Sequence, residues 1–125
     1  MHENEISYQI RGAAFKVHSN LGPGLLESVY EKALAHELRK TGLSVFTQIG
    51  LPVEYDGIKM DQGFRADLLV EEKVIVEIKS VENLLDIHHK QLLTYLKLSD
   101  KKLGLLMNFN SILLKKSITR IVNNL

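Results

Sequence analysis

The sequence has no cysteine and no tryptophan, and only two of its 125 residues are proline. Without cysteine, a disulfide framework and a thiolate metal site are both excluded. No apolar run approaches the roughly 20 residues that a membrane-spanning helix needs, and the amino-terminal stretch MHENEISYQI is too polar for a signal peptide. We therefore expect a cytoplasmic protein with no membrane partner.

Length and composition are those of one ordinary domain. With 45% hydrophobic residues, the chain is long enough to close a single core, so we expect residues 1–125 to form one domain. The net charge is +1, but residues 1–72 carry seven Lys or Arg against eleven Asp or Glu, while residues 73–125 carry nine against four. The second part is better suited to meet a polyanion, although the same lysines are equally typical of a solvated surface.

Hydrophobic periodicity predicts helices at both ends of a strand-rich middle. The predicted helices span residues 6–17, 26–38 and 82–98. The predicted strands lie near residues 44–49, 51–55, 64–70, 74–80 and 103–108, with a short extension at 58–60 and a strand or strand plus turn at 112–122. This order predicts an α/β (α+β) fold with a central mixed sheet flanked by helices.

Three charged residues, Asp67, Glu77 and Lys79, interrupt two strand-forming runs. If residues 71–73 form a three-residue hairpin loop, Val70 pairs with Val74 and Asp67 lies directly opposite Glu77. Their β-carbons would then be about 4.5–5.5 Å apart. An even-numbered loop would send the two carboxylates to opposite faces. By strand alternation, Arg65 and Leu69 share the face of Asp67, and Lys79 shares that of Glu77.

Two carboxylates directly opposite each other destabilise a hairpin, and a divalent cation reverses that effect. Mg²⁺ commonly binds through one or two carboxylates while water and substrate phosphate fill its other positions. Lys79 is placed beside Glu77 to hold an attacking water or the scissile phosphate, which is the chemistry of metal-assisted phosphodiester hydrolysis. The alternative is a metal-free ion cluster in which Lys79 bridges the two carboxylates.

The flanking helices carry three more polar candidates. Glu27 lies at the edge of the inward-facing stripe of the second helix, where it either reaches the sheet or merely complements the helix dipole. Gln91 and Tyr95 are one turn apart in a predicted apolar stripe of the third helix that includes Ile87 and Leu98. Core packing and contact with a phosphate beside the site are both compatible with that position.

Ala66-Asp67 followed by Glu77-Ile78-Lys79 resembles the PD-(D/E)XK nuclease superfamily, with alanine where the superfamily name has proline. The stretch from Gly24 to Tyr30 reads as Gly-x-x-Glu-x-x-Tyr and is similar to the signature of the GxxExxY proteins, a small prokaryotic family placed in that superfamily. The similarity runs from about residue 10 to residue 122. It implies a restriction-endonuclease-like core with a metal site on the hairpin.

The resemblance also implies roles for single residues. Mg²⁺, or Mn²⁺, would be bound by Asp67, Glu77, the carbonyl of Ile78 and, from the second helix, Glu27. Lys79 would position the nucleophilic water. Gln91 and Tyr95 would contact nucleic acid or brace the site, and we place Arg65 with them.

The function expected from these features is a Mg²⁺-dependent nuclease that acts on DNA or on RNA. The alternative is a noncatalytic nucleic-acid-binding or protein-interaction module that retains the nuclease scaffold. A third possibility is action within a homodimer or a larger defence or repair complex, with the carboxyl-terminal residues 111–125 supplying an edge strand that pairs with another chain.

Overall fold

Three helices and five strands make up the structure, a computed structural model that describes all residues from 1 to 125. The helices are α1 (Glu3–Leu21), α2 (Glu27–Lys40) and α3 (Asp86–Ser99), with a 3₁₀ turn at Leu114–Ser117. The strands are β1 (Val45–Tyr55), β2 (Ile58–Val70), β3 (Val74–Lys79), β4 (Leu103–Asn108) and β5 (Ile118–Val122). They form one sheet in the order β1-β2-β3-β4-β5, antiparallel except for the parallel pair β3 and β4. The predicted mixed sheet flanked by helices is confirmed.

Helices α1 and α2 cover one face of the sheet. Their buried side chains recur three, four and seven residues apart, which places them on one stripe of each helix. In α1 these are Ile6, Ile10, Ala14 and Val17, and in α2 they are Tyr30, Leu34, Ala35 and Leu38. Both sets belong to the larger hydrophobic cluster, together with alternate residues of β3 and β4. Gly22 ends α1 with a φ of 72°, a conformation that glycine adopts at little cost.

Helix α3 covers the opposite face, but it begins later than predicted. Leu85 has an extended backbone and its N–H donates to His88 Nδ1, so residues 82–85 are a loop and the helix starts at Asp86. The predicted apolar stripe is also wrong in part, because Ile87 is 62% exposed and Leu98 is 44% exposed. The buried contacts of α3 come from Leu92 and Leu96.

Strands β1 and β2 form a long hairpin around the predicted Asp56-Gly57 turn. Tyr55 pairs with Ile58, so the turn has two residues, and both have positive φ as this turn type requires. The predicted strands 44–49 and 51–55 are one continuous strand, and the segments 58–60 and 64–70 likewise merge into β2. The interruption predicted between residues 49 and 51 is absent. The only register shift nearby lies between Leu51 and Val53, around a proline that cannot donate a hydrogen bond to the ladder.

The carboxyl-terminal segment supplies an edge strand of the sheet. Only Ile118–Val122 of the predicted 112–122 segment is a strand, because the residues before it form a loop and the 3₁₀ turn. Strand β5 pairs with β4 alone and so ends the sheet. Pairing of this edge with another chain stays a prediction. None of the helices combines the length and apolarity needed to cross a membrane.

The hairpin depends on a close approach at Gly63. A β-carbon added at Gly63 would lie 2.0 Å from Cγ2 of Val53, so we expect Gly63→Ala to lower the free energy of unfolding. The expected loss is about 1–3 kcal/mol, the usual effect of overpacking. At Gly12, inside α1, an added β-carbon meets nothing within 4 Å, so Gly12→Ala is the control and should stabilise the protein by about 0.5–1 kcal/mol. Urea unfolding measures both, and equal effects would contradict this packing.

Candidate active site

The register of the central hairpin follows from its three-residue loop. Val70 pairs with Val74, as predicted, and the ladder continues to the pair Leu68 and Val76. Continued by one residue, this register sets Asp67 opposite Glu77, although the ladder itself ends at the pair Leu68 and Val76. Instead, the backbone N–H of Ile78 donates to Oδ2 of Asp67 at 2.8 Å. The Asp67 side chain thus accepts a backbone hydrogen bond at the carboxyl end of β3, in place of a backbone carbonyl of β2.

The reason lies in β1 and β2, whose side-chain alternation changes phase at this point. In β2, Ala66 and Leu69 both belong to the cluster on the α3 side, although residues three apart in a regular strand face opposite ways. Arg65 is exposed and therefore does not share a face with Leu69, which corrects the prediction. Opposite Asp67, the β1 residue Gln48 has a φ of 50° and is skipped by the ladder.

Glu77 is a buried carboxyl group without a hydrogen-bond partner for one of its oxygens. The residue is 7% exposed, and its Oε1 has no partner at all. Burial, and after it the negative charge of Asp67, raises the pKa of Glu77 from 4.5 to about 8, while Lys79 opposes this shift. Because an unpaired buried acceptor is costly, the site favours a positive charge at this oxygen.

Lys79 lies next to Glu77 at the end of β3 and is half-buried. It forms no ion pair within 4.0 Å, since both ion pairs of the protein involve Glu37, with Lys16 and with Lys40. The alternative in which Lys79 bridges the two carboxylates is therefore not what the structure shows. The lysine ammonium remains available for a ligand.

Helix α2 contributes a wall of the site. A cleft of about 290 Å³ is lined by Glu27, Ser28, Glu31, Gln48, Asp67 and Ile78. Glu27 is the first residue of α2, and its Oε2 accepts from the backbone N–H of Ser80 at 3.1 Å. It therefore reaches the sheet directly after Lys79, in addition to any effect on the helix dipole. The side chain of Ile78 is buried below the cleft.

Three residues of this cleft, Ser28, Glu31 and Gln48, were not predicted as site residues from the sequence. The Nε2 of Gln48 donates to Oε1 of Glu31 at 2.5 Å and to Oδ1 of Asp67 at 3.2 Å. Burial raises the pKa of Glu31, the hydrogen bond from Gln48 opposes the rise, and the charge of Asp67 adds to it. Glu31 was detectable, because it follows Glu27 by one helical turn and so shares its face. Gln48 gave no such signal.

Helix α3 brings Tyr95 and Gln91 to the other side of the carboxylates. The ring of Tyr95 stacks on that of Phe64 with centroids 4.1 Å apart. Burial raises the pKa of Tyr95, the charges of Glu77 and Asp67 raise it further, and a hydrogen bond with Gln91 opposes them. Tyr95 is half-buried and Gln91 is exposed, so Gln91 lies at the rim of the site and not in the core.

The residues present fit a divalent cation for which the protein would supply only some of the ligands. No group of three or more His, Cys, Asp or Glu side chains is arranged to hold a metal ion. Asp67 and Glu77 remain, and Glu77 has one unpartnered oxygen and a pKa on which the charges of Asp67 and Lys79 act in opposite directions. Two carboxylate groups are what Mg²⁺ commonly takes from a protein when water and phosphate supply its other ligands.

The sequence is similar to that of a known protein family. A model of the PD-(D/E)XK nuclease superfamily matches residues 4–121, which is nearly the whole chain. No curated protein matches the sequence, and no solved structure matches it either.

Proposed function

The chain belongs to the PD-(D/E)XK nuclease superfamily, whose members generally use divalent metal ions and act on nucleic acid, and from this premise we propose a Mg²⁺-dependent nuclease. Its substrate would be the phosphodiester bonds of DNA, with RNA as the second candidate, and residues 1–125 would act as one nuclease-like domain. The observation that carries the proposal is the buried Oε1 of Glu77, unpartnered beside Asp67. A cation at this position would remove the cost of both features.

The residues proposed to bind the cation directly are Asp67, Glu77 and the carbonyl of Ile78, while Glu27, whose carboxylate accepts from Ser80, is proposed to join the site beside them. The metal ion, Mg²⁺ or Mn²⁺, would neutralise negative charge on the phosphate and make a water more acidic. The two hydrogen bonds that Asp67 accepts, from Ile78 and Gln48, fix the direction of its carboxylate. Glu27 holds the end of β3 against α2 through Ser80.

Lys79 supplies the positive charge of the proposed site. It is half-buried, has no carboxylate partner, and follows the buried Glu77 by two residues on the same strand. We assign it the task of orienting the attacking water or the scissile phosphate, since a fixed ammonium stabilises the charge that develops on the phosphate. Contact with the nucleic acid is assigned to Gln91, Tyr95 and Arg65 at the rim.

The Gly-x-x-Glu-x-x-Tyr stretch supports placing the chain among the GxxExxY proteins, because each of its three residues has a separate structural task. Gly24 adopts a φ of 98° in the loop before α2. Glu27 accepts from Ser80, as described above. The hydroxyl of Tyr30 accepts from the N–H of Leu25 at 3.0 Å and donates to the carbonyl of Gly22 at 2.6 Å, which closes the loop against the helix.

Thermal unfolding with and without metal tests the site before any substrate is known. We expect Mg²⁺ or Mn²⁺ to stabilise the wild type relative to EDTA, by about 2.7 kcal/mol when the metal is at 100 times its dissociation constant. Asp67→Asn should abolish this gain. The variant should still fold, because asparagine keeps an oxygen that can accept from Ile78 and loses the charge beside Glu77.

Cleavage is then measured on linear and circular DNA, single-stranded DNA and RNA. Metal-dependent cleavage by the wild type and none by Asp67→Asn is the expected result. A wild type that metal stabilises but that cleaves none of these substrates would point to the noncatalytic module. A wild type that metal does not stabilise, even with nucleic acid present, would overturn the proposed site.

A further inference from the structure

Both oxygens of Asp67 are engaged by the protein. Oδ2 accepts the backbone N–H of Ile78 at 2.8 Å, and Oδ1 accepts the amide of Gln48 at 3.2 Å. The two donors come from β3 and β1, the strands on either side of Asp67, so together they define the plane of its carboxylate. Of these donors, only that of Gln48 belongs to a side chain.

Gln48 is itself anchored from α2. An amide NH₂ group has two hydrogens to donate, and Gln48 directs this group at both Asp67 and Glu31. Glu31 is half-buried in the wall of the cleft. The amide therefore links the helix to the strand that carries Asp67, and the position of Asp67 depends on both.

An uncharged donor is the residue type that this position requires. A third carboxylate between Glu31 and Asp67 would repel both and donate no hydrogen bond. A lysine or arginine would pair with Asp67 and compete with a cation for it. Glutamine satisfies the two carboxylates and leaves the negative charge of Asp67 for a ligand.

The backbone at Gln48 supports the same conclusion independently. Its φ of 50° lies in the left-handed region, which glycine and asparagine adopt more readily than glutamine. Here the alternation of β1 and β2 changes phase and the ladder skips a pair. Such strain persists where the surroundings require a particular side chain.

We propose that Gln48 is a positioning residue that acts through Asp67, holding its carboxylate for the cation from an anchor on Glu31. This inference rests on the proposed function for its metal, but it concerns residues outside the superfamily signature. Loss of a side chain that orients a metal ligand typically lowers metal affinity by about 10–100-fold.

The test is Mn²⁺ binding, measured by titration calorimetry without nucleic acid, in four variants. Gln48→Met keeps the length and lacks the donor, Gln48→Gly also relieves the backbone, and Gln48→Asn keeps an amide. The control Asn124→Gly replaces another amide residue at positive φ, at the far end of the chain. Unfolding in EDTA is recorded for all of them.

We expect the methionine and glycine variants to bind Mn²⁺ about 10–100-fold more weakly than the wild type. Gln48→Asn should retain more of the affinity, and Asn124→Gly all of it. Unfolding in EDTA should shift only slightly downward in Gln48→Met, which loses two exposed hydrogen bonds, and in Gln48→Gly the relieved backbone should offset the same loss. Binding that is about 10–100-fold weaker would then not be a consequence of a weaker fold.

Equal Mn²⁺ affinity in the wild type, Gln48→Met and Gln48→Gly would overturn the positioning role while the proposed function stands. Equal loss in Gln48→Asn and Gln48→Met would also overturn it, since the amide would then not matter. A wild type that binds Mn²⁺ but cleaves no nucleic acid would overturn the nuclease and leave the positioning role standing. A wild type that binds no Mn²⁺ would overturn both.

Discussion

Replacing Lys79 with methionine is expected to lower the rate of metal-dependent phosphodiester cleavage by about 10²–10³-fold, the usual cost of removing one group that stabilises developing charge. Methionine keeps much of the aliphatic length and removes only the ammonium. The protein should still bind the metal, because Lys79 pairs with neither carboxylate. Single-turnover cleavage at saturating Mg²⁺ measures the first effect, and metal-dependent unfolding measures the second.

Lys102→Met is the matched control for this prediction. Lys102 is exposed and precedes β4, whereas Lys79 pairs with Asn108 at the other end of the parallel strands. The control removes the same charge from the opposite end of the sheet, so its cleavage rate should stay near that of the wild type. Equal rate losses in the two variants would indicate a general loss of nucleic-acid attraction. An unchanged rate in Lys79→Met would remove Lys79 from the proposed chemistry.

The part of the site that follows local rules was predictable from the sequence. The three-residue loop set the pairing of Val70 with Val74, and this register was confirmed. Helical spacing identified the stripes of α1 and α2 and put Glu27 at the edge of the second stripe, but it left open whether Glu27 reaches the sheet, as it does. Glu31 was predictable by the same spacing, since residues four apart on a helix are neighbours.

The remainder depends on contacts between distant segments. No local pattern marks Gln48 as the point where the side-chain alternation of two strands changes phase. The conformation of Gln48 depends on its hydrogen bonds to Glu31 and Asp67 across the cleft. The same change explains why Arg65 turned away from the predicted face. The late start of α3 is an exception, because its cause is local: Leu85 is extended and its N–H donates to Nδ1 of His88.

The buried Glu77 makes the stability of the metal-free protein depend on pH. Burial and Asp67 raise its pKa from 4.5 to about 8, so between these values the folded state keeps a proton that the unfolded state has lost. The folded state binds more protons in this window, and the free energy of unfolding must therefore fall as the pH rises. The steepest slope for one such group is about 1.4 kcal/mol per pH unit. Below pH 4.5 and above pH 8 the contribution of Glu77 is constant.

Glu77→Gln removes this titration and should abolish metal stabilisation. In EDTA at pH 8–9 we expect the variant to be more stable than the wild type by roughly 2–4 kcal/mol, with a profile that falls less steeply from pH 5 to pH 9. Urea unfolding at several pH values measures the difference between the two proteins. Taking this difference also cancels the contribution of Glu31 to the pH dependence of stability, since the pKa of Glu31 is raised in both proteins.

Glu37→Gln serves as the control for the glutamate change. The hydrogen bond and charge of Lys16 lower the pKa of Glu37, so its titration falls below pH 4.5, outside the window. Its profile should therefore run parallel to that of the wild type. Saturating Mg²⁺ should flatten the wild-type profile, because a bound cation displaces the proton of Glu77. A decline with pH that is as steep in Glu77→Gln as in the wild type, or that saturating Mg²⁺ leaves unchanged, would mean that another group holds the proton and that the cation does not bind at Glu77.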